Sequence, residues 1–425
     1  MKIAVIGAGW AGCAAAVEAT QRGQQVTVFE AARIPGGRAR RVDGQWPDGS
    51  ALPLDNGQHI LIGAYSETLR LMSELELDAD SLMLRLPLTL QFPDGAGMRL
   101  PALPTPLDAL AGILGARGWS WRDKGSLLLA ALRWQAAGFR CAPQLSVAQL
   151  CRNVQRTVMA TLIEPLCVAA LNTPADRASA QVFLRVLRDA LFSQSGGSNL
   201  LLPRTDLSAL LPEAALAWVT QRGGELQLGA RVQTLATTGS GWQVDGVAFD
   251  RVILACPPGE AARLAQSSGL PCEDWQAQAR ALQFEAITTV YVSASGSRLV
   301  QPMLALRASA PDSEAPAQFV FDRGQLGGPA GLLAFVVSAS TGDSAALTQR
   351  VLRQGAQQLG LVQPVAVQTI VEKRATFACL PGMLRPASQV LPGLLACGDY
   401  IAGPYPATLE GAVRNGRDAA VLAHA

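Results

Sequence analysis

The sequence predicts an α/β fold with α+β character, in which two domains are interleaved along one chain. Three observations predict it. A short apolar strand, a glycine-rich turn and a helix lie within residues 1–30, and a strand, a turn and a helix lie within residues 393–425. Between them, a mainly helical stretch precedes a set of apolar strands, which predicts a second core. A length of 425 residues also favours two domains over one.

Composition excludes several classes of protein. Hydrophobic residues make up 49% of the chain and charged residues 16%, yet no apolar run reaches the roughly 18 residues that a membrane-spanning helix needs. The net charge is +2 without a basic cluster, so we expect no nucleic-acid partner. Eight cysteines without a CxxC pair, and only two histidines, predict no metal site. Unpaired thiols and the lack of a signal-peptide pattern predict a cytoplasmic location.

The stretch "IAVIGAGWAGCAAA" carries a G-x-G-x-x-G turn at Gly7, Gly9 and Gly12, and the following strand "QQVTVFE" ends at Glu30. Gly7 allows the tight turn, Gly9 lets a pyrophosphate approach the backbone, and Gly12 allows the helix to pack closely on the strand. The helix N-terminus offers amide donors to phosphates. Glu30 is placed to accept the ribose hydroxyls. The sequence therefore predicts a dinucleotide site.

Two further stretches resemble the flavin-containing amine oxidase and phytoene desaturase superfamily. They are "IPGGRAR", with Gly37 and Arg38, and "ACGDYIAGPYPATLEGAV", near the other end of the chain. The resemblance implies FAD as the cofactor. It places Gly37 and Arg38 at the pyrophosphate and Val232 at the adenine. It also implies cofactor contacts for residues of the second stretch, namely Gly398 and Asp399 near the ribityl and pyrophosphate, and the backbone of Thr408 and Leu409 at the flavin ring.

The same resemblance implies the domain organisation. A Rossmann-like FAD-binding domain is expected from residues 1–70, 205–270 and 385–425. A substrate-binding domain of helices over a mostly antiparallel sheet is expected from residues 71–204 and 271–384. Strands are predicted at 282–296, 317–338 and in "VAVQTIVEKRATFA", and a helix at 343–359.

The substrate class is narrowed by further stretches. Amine oxidases of this superfamily carry a lysine near the flavin, whereas the matching strand "EAITTVYVSA" has none. "LDNGQHILIGAYSETLRLM", "EPLCVAALNTP" and "KRATFACLPGMLRP" resemble the squalene-associated desaturase-like family, the hydroxysqualene dehydroxylases of bacterial hopanoid pathways. The resemblance implies that reduced FAD, supplied by an unidentified reductant, replaces an allylic hydroxyl of a C30 isoprenoid with hydride. A polyene desaturase and a non-catalytic isoprenoid binder stay open as alternatives.

The resemblance places "DNGQHI" beside the reactive edge of the flavin, with Gly57 and Gln58 contacting the cofactor. His59 then has two interpretations: a hydrogen-bonding acid for the substrate hydroxyl, or a residue placed by its backbone alone. Asp55 is a second catalytic candidate, or only the start of a turn. Tyr405 is a third, expected over the flavin face, or an ordinary packed aromatic residue. Two further residues, Glu164 and Asn172, are candidates for substrate contact, against a role at helix ends.

Residues 101–134 mix leucines with Trp119, Trp121 and Trp134 and with basic residues. Tryptophan and basic side chains beside an apolar surface are typical of helices that lie in a lipid interface. We therefore expect peripheral contact with the inner face of the plasma membrane, where an insoluble isoprenoid would be collected. The alternative is an ordinary packed helix pair.

Overall fold

The computed structural model describes residues 1–239, 241–308 and 313–424. Its strands, in chain order, are β1 (Lys2–Ile6), β2 (Gln25–Glu30), β3 (Arg41–Gln45), β4 (Ala51–Asp55), β5 (Leu61–Ile62), β6 (Met83–Leu86), β7 (Thr89–Gln91), β8 (Gly97–Arg99), β9 (Leu200–Pro203), β10 (Glu225–Leu228), β11 (Leu235–Thr237), β12 (Trp242–Val244), β13 (Val247–Phe249), β14 (Arg251–Leu254), β15 (Phe284–Ser293), β16 (Met303–Ala305), β17 (Phe319–Asp322), β18 (Leu332–Ser338), β19 (Val365–Phe377), β20 (Gln389–Leu391) and β21 (Leu394–Ala396). Its α-helices are α1 (Trp10–Gln21), α2 (Ser66–Glu74), α3 (Ala79–Leu82), α4 (Leu107–Gly115), α5 (Trp121–Ala136), α6 (Val147–Leu150), α7 (Arg156–Val158), α8 (Glu164–Leu171), α9 (Ala180–Phe192), α10 (Leu207–Leu210), α11 (Pro212–Gln221), α12 (Pro258–Ser267), α13 (Glu273–Arg280), α14 (Ser344–Leu359) and α15 (Leu409–His424).

A six-stranded sheet has the order β10-β2-β1-β14-β21-β20, and all neighbours except β20 and β21 are parallel. Its strands come from each of the three separated segments that were predicted to share a domain, although the boundaries of that domain stay a prediction. The apolar run Ile3–Ile6 is buried, as strands covered on both faces require. Helix α15 packs so closely on α1 that a Cβ added at Gly416 would lie 2.1 Å from the carbonyl oxygen of Ala11.

A second, antiparallel sheet has the order β16-β17-β18-β15-β19. It confirms the strands predicted at 282–296, 317–338 and in "VAVQTIVEKRATFA", and α14 confirms the helix predicted at 343–359. Leu347 and Val351 of α14 are buried against Val290 and Phe335 of the sheet in one apolar cluster. Alternation of side chains across the strands supplies this packed face.

The region of residues 71–204 is helical over about half of its length, and four short strands within it were not predicted. Strands β7 and β8 form a hairpin closed at Asp94-Gly95, where Gly95 has φ of +79°. An Asp-Gly pair between short apolar runs is a hairpin signal, but each strand has only three residues, too few to show the alternation of a strand. Strand β9 pairs with both β5 and β6 and thus joins the 61–86 region to the end of the helical one.

Asp55 and Asn56 are bonded to the antiparallel sheet. Tyr291 of β15 donates a hydrogen bond from its hydroxyl to the carbonyl oxygen of Asp55 at 3.0 Å, and the Asn56 side-chain amide donates to the Glu372 carboxylate of β19 at 2.9 Å. In the parts of the chain that the structure describes, no helix is long and apolar enough to cross a bilayer.

Candidate functional site

The glycine turn after β1 is held by contacts that exclude side chains. Gly7 has φ of +113°, and a Cβ there would lie 2.7 Å from the Ala255 carbonyl oxygen. A Cβ at Gly12 would lie 1.8 Å from the carbonyl oxygen of Gly7. Gly9 differs, because the nearest atom to its Cβ position is Gly37 Cα at 3.7 Å and its backbone is extended. Packing therefore requires Gly7 and Gly12, whereas Gly9 leaves the N-terminus of α1 open to a ligand.

Glu30 ends β2 and turns back onto the glycine turn. Its carboxylate accepts the Ala8 amide at 2.7 Å and the Ala32 amide at 2.8 Å. This role of Glu30 in fixing the turn was not predicted from the sequence, which indicated only a contact with ribose. Since a carboxylate has about four acceptor positions, two remain for ligand hydroxyls, and the ribose contact stays a prediction.

Arg38 and Asp399, which belong to signatures at opposite ends of the chain, meet in an ion pair of 2.5 Å. Arg38 also donates to the carbonyl oxygen of Ala375 on β19 at 2.7 Å. Burial alone would lower the pKa of Arg38, but the carboxylates of Asp399 and Glu372 raise it above its ordinary value. A cation is therefore held at the junction of the two sheets, close to the open N-terminus of α1.

The start of α15 is shaped by two positive-φ positions and one capping side chain. Gly398 has φ of +148°, and Ala407 adopts a left-handed φ of +56° just before the helix. The Thr408 hydroxyl accepts the Gly411 amide at 2.9 Å and donates to the Tyr405 carbonyl oxygen. Thr408 thus caps the helix, which begins at Leu409. Free amides at this helix end suit an anionic ring edge.

His59 lies in a bent loop, because Gly57 has φ of +108°. Its Nδ1 lies 2.9 Å from the Gly57 carbonyl oxygen; since a carbonyl can only accept, Nδ1 carries the proton and Nε2 is left for another partner. Burial lowers the pKa of His59; the hydrogen bond to Gly57 opposes that shift, and the Arg38 cation adds to it. The imidazole is therefore neutral at neutral pH.

Asp55 is more than the start of a turn. It is 2% exposed, and its carboxylate accepts the Leu207 amide at 2.8 Å, at the start of α10. Arg323 lies 3.8 Å from it and donates to the Gln58 side-chain oxygen at 3.2 Å. Burial raises the pKa of Asp55 to about 6, although Arg323 and the Leu207 amide oppose this. A buried charge pair thus supports the loop that carries His59.

Several polar groups near the glycine turn and the loop of residues 55–59 are not fully engaged by the protein. Arg38 and His59 keep accessible surface. Thr289, 3.7 Å from the Cβ position of Gly57, has a buried hydroxyl without a partner among the described residues, and so has Tyr400. Buried polar groups of this kind call for an additional partner. The residues therefore fit a polar ligand.

Two other predicted residues have neighbours that the sequence did not indicate. The Tyr405 ring lies between two cations, with the guanidinium carbons of Arg185 and Arg414 at 5.3 Å and 4.9 Å from its centre. Its position over a flavin face stays a prediction. Val232 is buried, and its carbonyl oxygen accepts from Arg263 at 2.9 Å. Its contact with adenine likewise stays a prediction.

The two predicted substrate residues lie in different surroundings. Glu164 opens α8 with an exposed side chain. Asn172 ends α8 with a left-handed φ of +45°. Its side-chain nitrogen donates to the Thr376 hydroxyl at 3.0 Å, and its side-chain oxygen accepts the Ala339 amide at 2.8 Å. Both groups of the Asn172 side chain are thus engaged by protein. The geometry gives each a place at a helix end, and substrate contact remains a prediction for both.

Sequence reasoning missed Thr289, Tyr291 and Arg323. Each comes from the antiparallel sheet or the turn that follows β17, more than 220 positions from His59. The run "ITTVYV" shows polar residues within an apolar strand, which is the one local signal that could have indicated Thr289. Among the described residues no group of histidines, cysteines and carboxylates could hold a metal ion.

A parallel sheet with a glycine turn, next to an antiparallel sheet that supplies polar groups to the same space, defines a dinucleotide-dependent oxidoreductase. The chain belongs to the flavin-containing amine oxidoreductase family, whose sequence profile matches residues 10–424. Membership implies FAD as the cofactor.

Similar proteins support this family membership. Hydroxysqualene dehydroxylase of Sinorhizobium fredii is 26% identical over 449 residues, covering 99% of this chain and 97% of that protein. The enzyme of the same name from Rhodopseudomonas palustris is 28% identical over 457 residues, covering 98% and 97%. An oxidoreductase structure from Methanosarcina mazei superposes with a TM-score of 0.73 at 17% identity, covering 98% of this chain and 99% of that one. Putrescine oxidase bound to putrescine gives 0.68 at 17%, covering 99% and 98%. The mixed α/β, amine oxidase-like fold is confirmed.

Proposed function

We propose that the protein removes the allylic hydroxyl of hydroxysqualene reductively to give squalene, as an FAD-dependent enzyme. The observation that carries the proposal is the similarity, over nearly the whole chain, to two hydroxysqualene dehydroxylases. The fold alone would not support it, because the same fold serves many chemistries.

The proposal gives the cofactor a position among the residues present. Gly9 and the start of α1 would receive the pyrophosphate, with Glu30 at the ribose and Arg38 offsetting phosphate charge. The start of α15 at Thr408 and Leu409 would meet the ring, opposite Gly57. When bound and reduced, FAD supplies the hydride. An external reductant of unidentified class must restore it.

In this proposal His59 binds the oxygen that leaves the substrate and gives it a proton. In the reaction an allylic C–O bond breaks, the oxygen takes a proton and leaves as water, and hydride forms the new C–H bond. The Nδ1–H of His59 is held by Gly57, which turns Nε2 toward the other side of the ring. In the neutral imidazole, Nε2 accepts a hydrogen bond from the substrate hydroxyl and so orients it. A protonated Nε2 donates to the leaving oxygen, and its lowered pKa makes it a stronger acid.

The proposed reaction requires an apolar environment around the cation that forms when the C–O bond breaks. Water in such a site would return the alcohol instead of the alkene. A hydrocarbon substrate also matches the lack of a lysine in β15.

An anaerobic single turnover tests the proposal. The flavin of the purified protein is photoreduced, hydroxysqualene is added in detergent, and flavin reoxidation and product are followed. We expect reoxidation coupled to squalene formation. We expect His59→Ala to slow it by about 10²–10³-fold with flavin content unchanged, whereas His424→Ala, which alters the only other histidine, leaves the rate unchanged.

Other outcomes decide against the proposal. Reduction of the oxidised flavin by a polyene, without reoxidation by hydroxysqualene, assigns a desaturase. A purified protein that cannot be loaded with flavin assigns a non-catalytic isoprenoid binder. Equal rates for His59→Ala and the wild type would remove the role given to His59 while leaving the dehydroxylase intact.

A further inference from the structure

Helices α4 and α5 present large apolar side chains to the solvent. We call this surface the leucine face. Leu107 is 54% exposed, Trp121 is 77% exposed and Leu132 is 62% exposed. Its members are Leu103, Leu107, Leu110 and Leu114 before and along α4, and Trp121, Leu129 and Leu132 along α5. Clustered exposure on this scale marks an interaction surface in soluble proteins.

The leucine face is not the core-facing side of these helices. Ile113 of α4 and Leu127 and Trp134 of α5 are buried in the main apolar cluster, whereas Leu107, Leu110 and Leu114 repeat at helical spacing on the outside. Both helices are thus apolar on two sides. The inward side explains their packing, and the outward side requires a partner of its own.

The exposed charges within the sequence stretch that contains the leucine face have one sign. Residues 95–140 contain six basic residues, which are Arg99, Arg117, Arg122, Lys124, Arg133 and Arg140. The two carboxylates of this stretch, Asp108 and Asp123, are buried, and Asp123 is bound to the Ser120 backbone and hydroxyl in a capping box. The stretch therefore carries +4 while the whole chain carries +2, so the rest of the protein is slightly negative.

We propose that the leucine face docks the protein on an anionic lipid surface, the cytoplasmic face of a bilayer. Exposed leucines enter the boundary between headgroups and acyl chains, Trp121 lies at headgroup level, and the arginines meet lipid phosphates. Binding is peripheral, since neither α4 nor α5 has the length to cross a bilayer. This inference does not depend on which substrate the protein converts.

A second copy of the chain is a poorer occupant. A symmetric dimer through this face would bring the same surface against itself, and the basic residues of the two copies would then repel one another. Anionic lipid offers opposite charge and an apolar interior together. The eight cysteines are free thiols, which fits a surface on the reducing side of a membrane.

Vesicle flotation of the flavin-loaded protein tests the proposal. We expect binding to phosphatidylcholine vesicles that contain phosphatidylglycerol, weaker binding to phosphatidylcholine alone, and release by salt. Each arginine near the surface contributes about fivefold. The triple variant Arg117→Gln/Arg122→Gln/Arg133→Gln should therefore bind on the order of 100-fold more weakly. The control Arg222→Gln/Arg280→Gln/Arg298→Gln removes the same charge from exposed residues outside the face and should bind like the wild type.

A second set of variants tests the apolar contribution. Leu110→Ser/Trp121→Ser/Leu132→Ser should lower binding by at least about tenfold, whereas Val247→Ser/Val300→Ser/Val362→Ser, at exposed positions elsewhere, should not. Unchanged flavin absorbance shows that each variant is folded. Failure of the wild type to float with anionic vesicles at low salt would overturn the proposal. So would a dimer in sedimentation that the leucine variant alone converts to a monomer, since the face would then be covered by a second copy.

Discussion

The glycine turn of residues 7–12 and the loop of residues 55–59 both belong to the proposed cofactor site, but different forces hold them. The turn is fixed by backbone contacts, such as the 1.8 Å that would separate a Cβ at Gly12 from the Gly7 carbonyl oxygen. The loop is fixed by side chains from distant segments, through the bonds of Asp55 to Leu207 and of Arg323 to Gln58. A backbone-held region tolerates no added atoms, whereas a region held by charges responds to pH and to loss of a partner.

The largest expected effect is in the turn. Gly12→Ala places a methyl group against the backbone at Gly7, so either α1 or β1 must move. We expect a loss of about 4 kcal/mol or more in the free energy of unfolding, with no flavin retained. Urea unfolding measures the loss of stability, and the absorbance of the purified protein measures its flavin content. Gly259→Ala, also near the start of a helix but with no atom within 4 Å, is the control. A Gly12→Ala protein with full flavin content would contradict the packing argument.

The next effect lies at the ion pair that connects the two regions. Arg38→Met leaves the carboxylate of Asp399, 7% exposed, without its partner at 2.5 Å. We expect a loss of about 3 kcal/mol in the free energy of unfolding, at the low end for a buried pair because Arg38 keeps some accessible surface. The exposed pair of Arg307 and Asp94 supplies the control, since Arg307→Met should cost under about 1 kcal/mol. Equal losses in the free energy of unfolding of the two variants would show that the buried ion pair stabilises the fold no more than the exposed pair does.

The loop should show a pH dependence that the turn lacks. Burial raises the pKa of Asp55 from 3.8 to about 6, so the folded state binds this proton more tightly than the unfolded chain does. The resulting stabilisation is complete below the unfolded pKa and is lost as the pH rises through about 6. Between about pH 4 and pH 7 the wild type should therefore lose up to about 3 kcal/mol relative to Asp55→Asn.

Urea unfolding at several pH values measures that difference. Asp176→Asn removes an exposed carboxylate and serves as the control. A free energy of unfolding that changes with pH equally in wild type and Asp55→Asn would show that the buried carboxylate is not its source.

The smallest effect on stability is expected at Gly9, although it lies in the same turn as Gly12. A methyl group at Gly9 meets no protein atom closer than 3.7 Å, so Gly9→Ala should change the free energy of unfolding of the flavin-free protein by under about 0.5 kcal/mol. Because the methyl group points into the space assigned to the pyrophosphate, we expect FAD affinity to fall at least about tenfold. Calorimetric titration with FAD measures it. Unchanged affinity would remove Gly9 from the cofactor site.

Local patterns sufficed to predict the turn and its strands, because the glycines, the helix and Glu30 are adjacent along the chain. The strands β15, β17, β18 and β19 and the helix α14 were likewise within reach of residue patterns. The hairpin of β7 and β8 was missed because its strands have three residues each, too few to show alternation. The support of the 55–59 loop was missed because Leu207 lies 152 positions from Asp55 and Arg323 lies 265 positions from Gln58. No spacing rule links such pairs.

Helix α15 covers α1, and the ribosome makes Ala11 about 400 residues before Gly416. At the usual translation rate of 5–20 residues per second, α15 is synthesised roughly 20–80 s after α1. During that time the alanine-rich face of α1 is not packed against α15. The six-stranded sheet is also incomplete until β21 arrives between β14 and β20. The nascent chain must therefore keep its first helix shielded by other means, and translation that stops early leaves a product that quality control can recognise by that uncovered face.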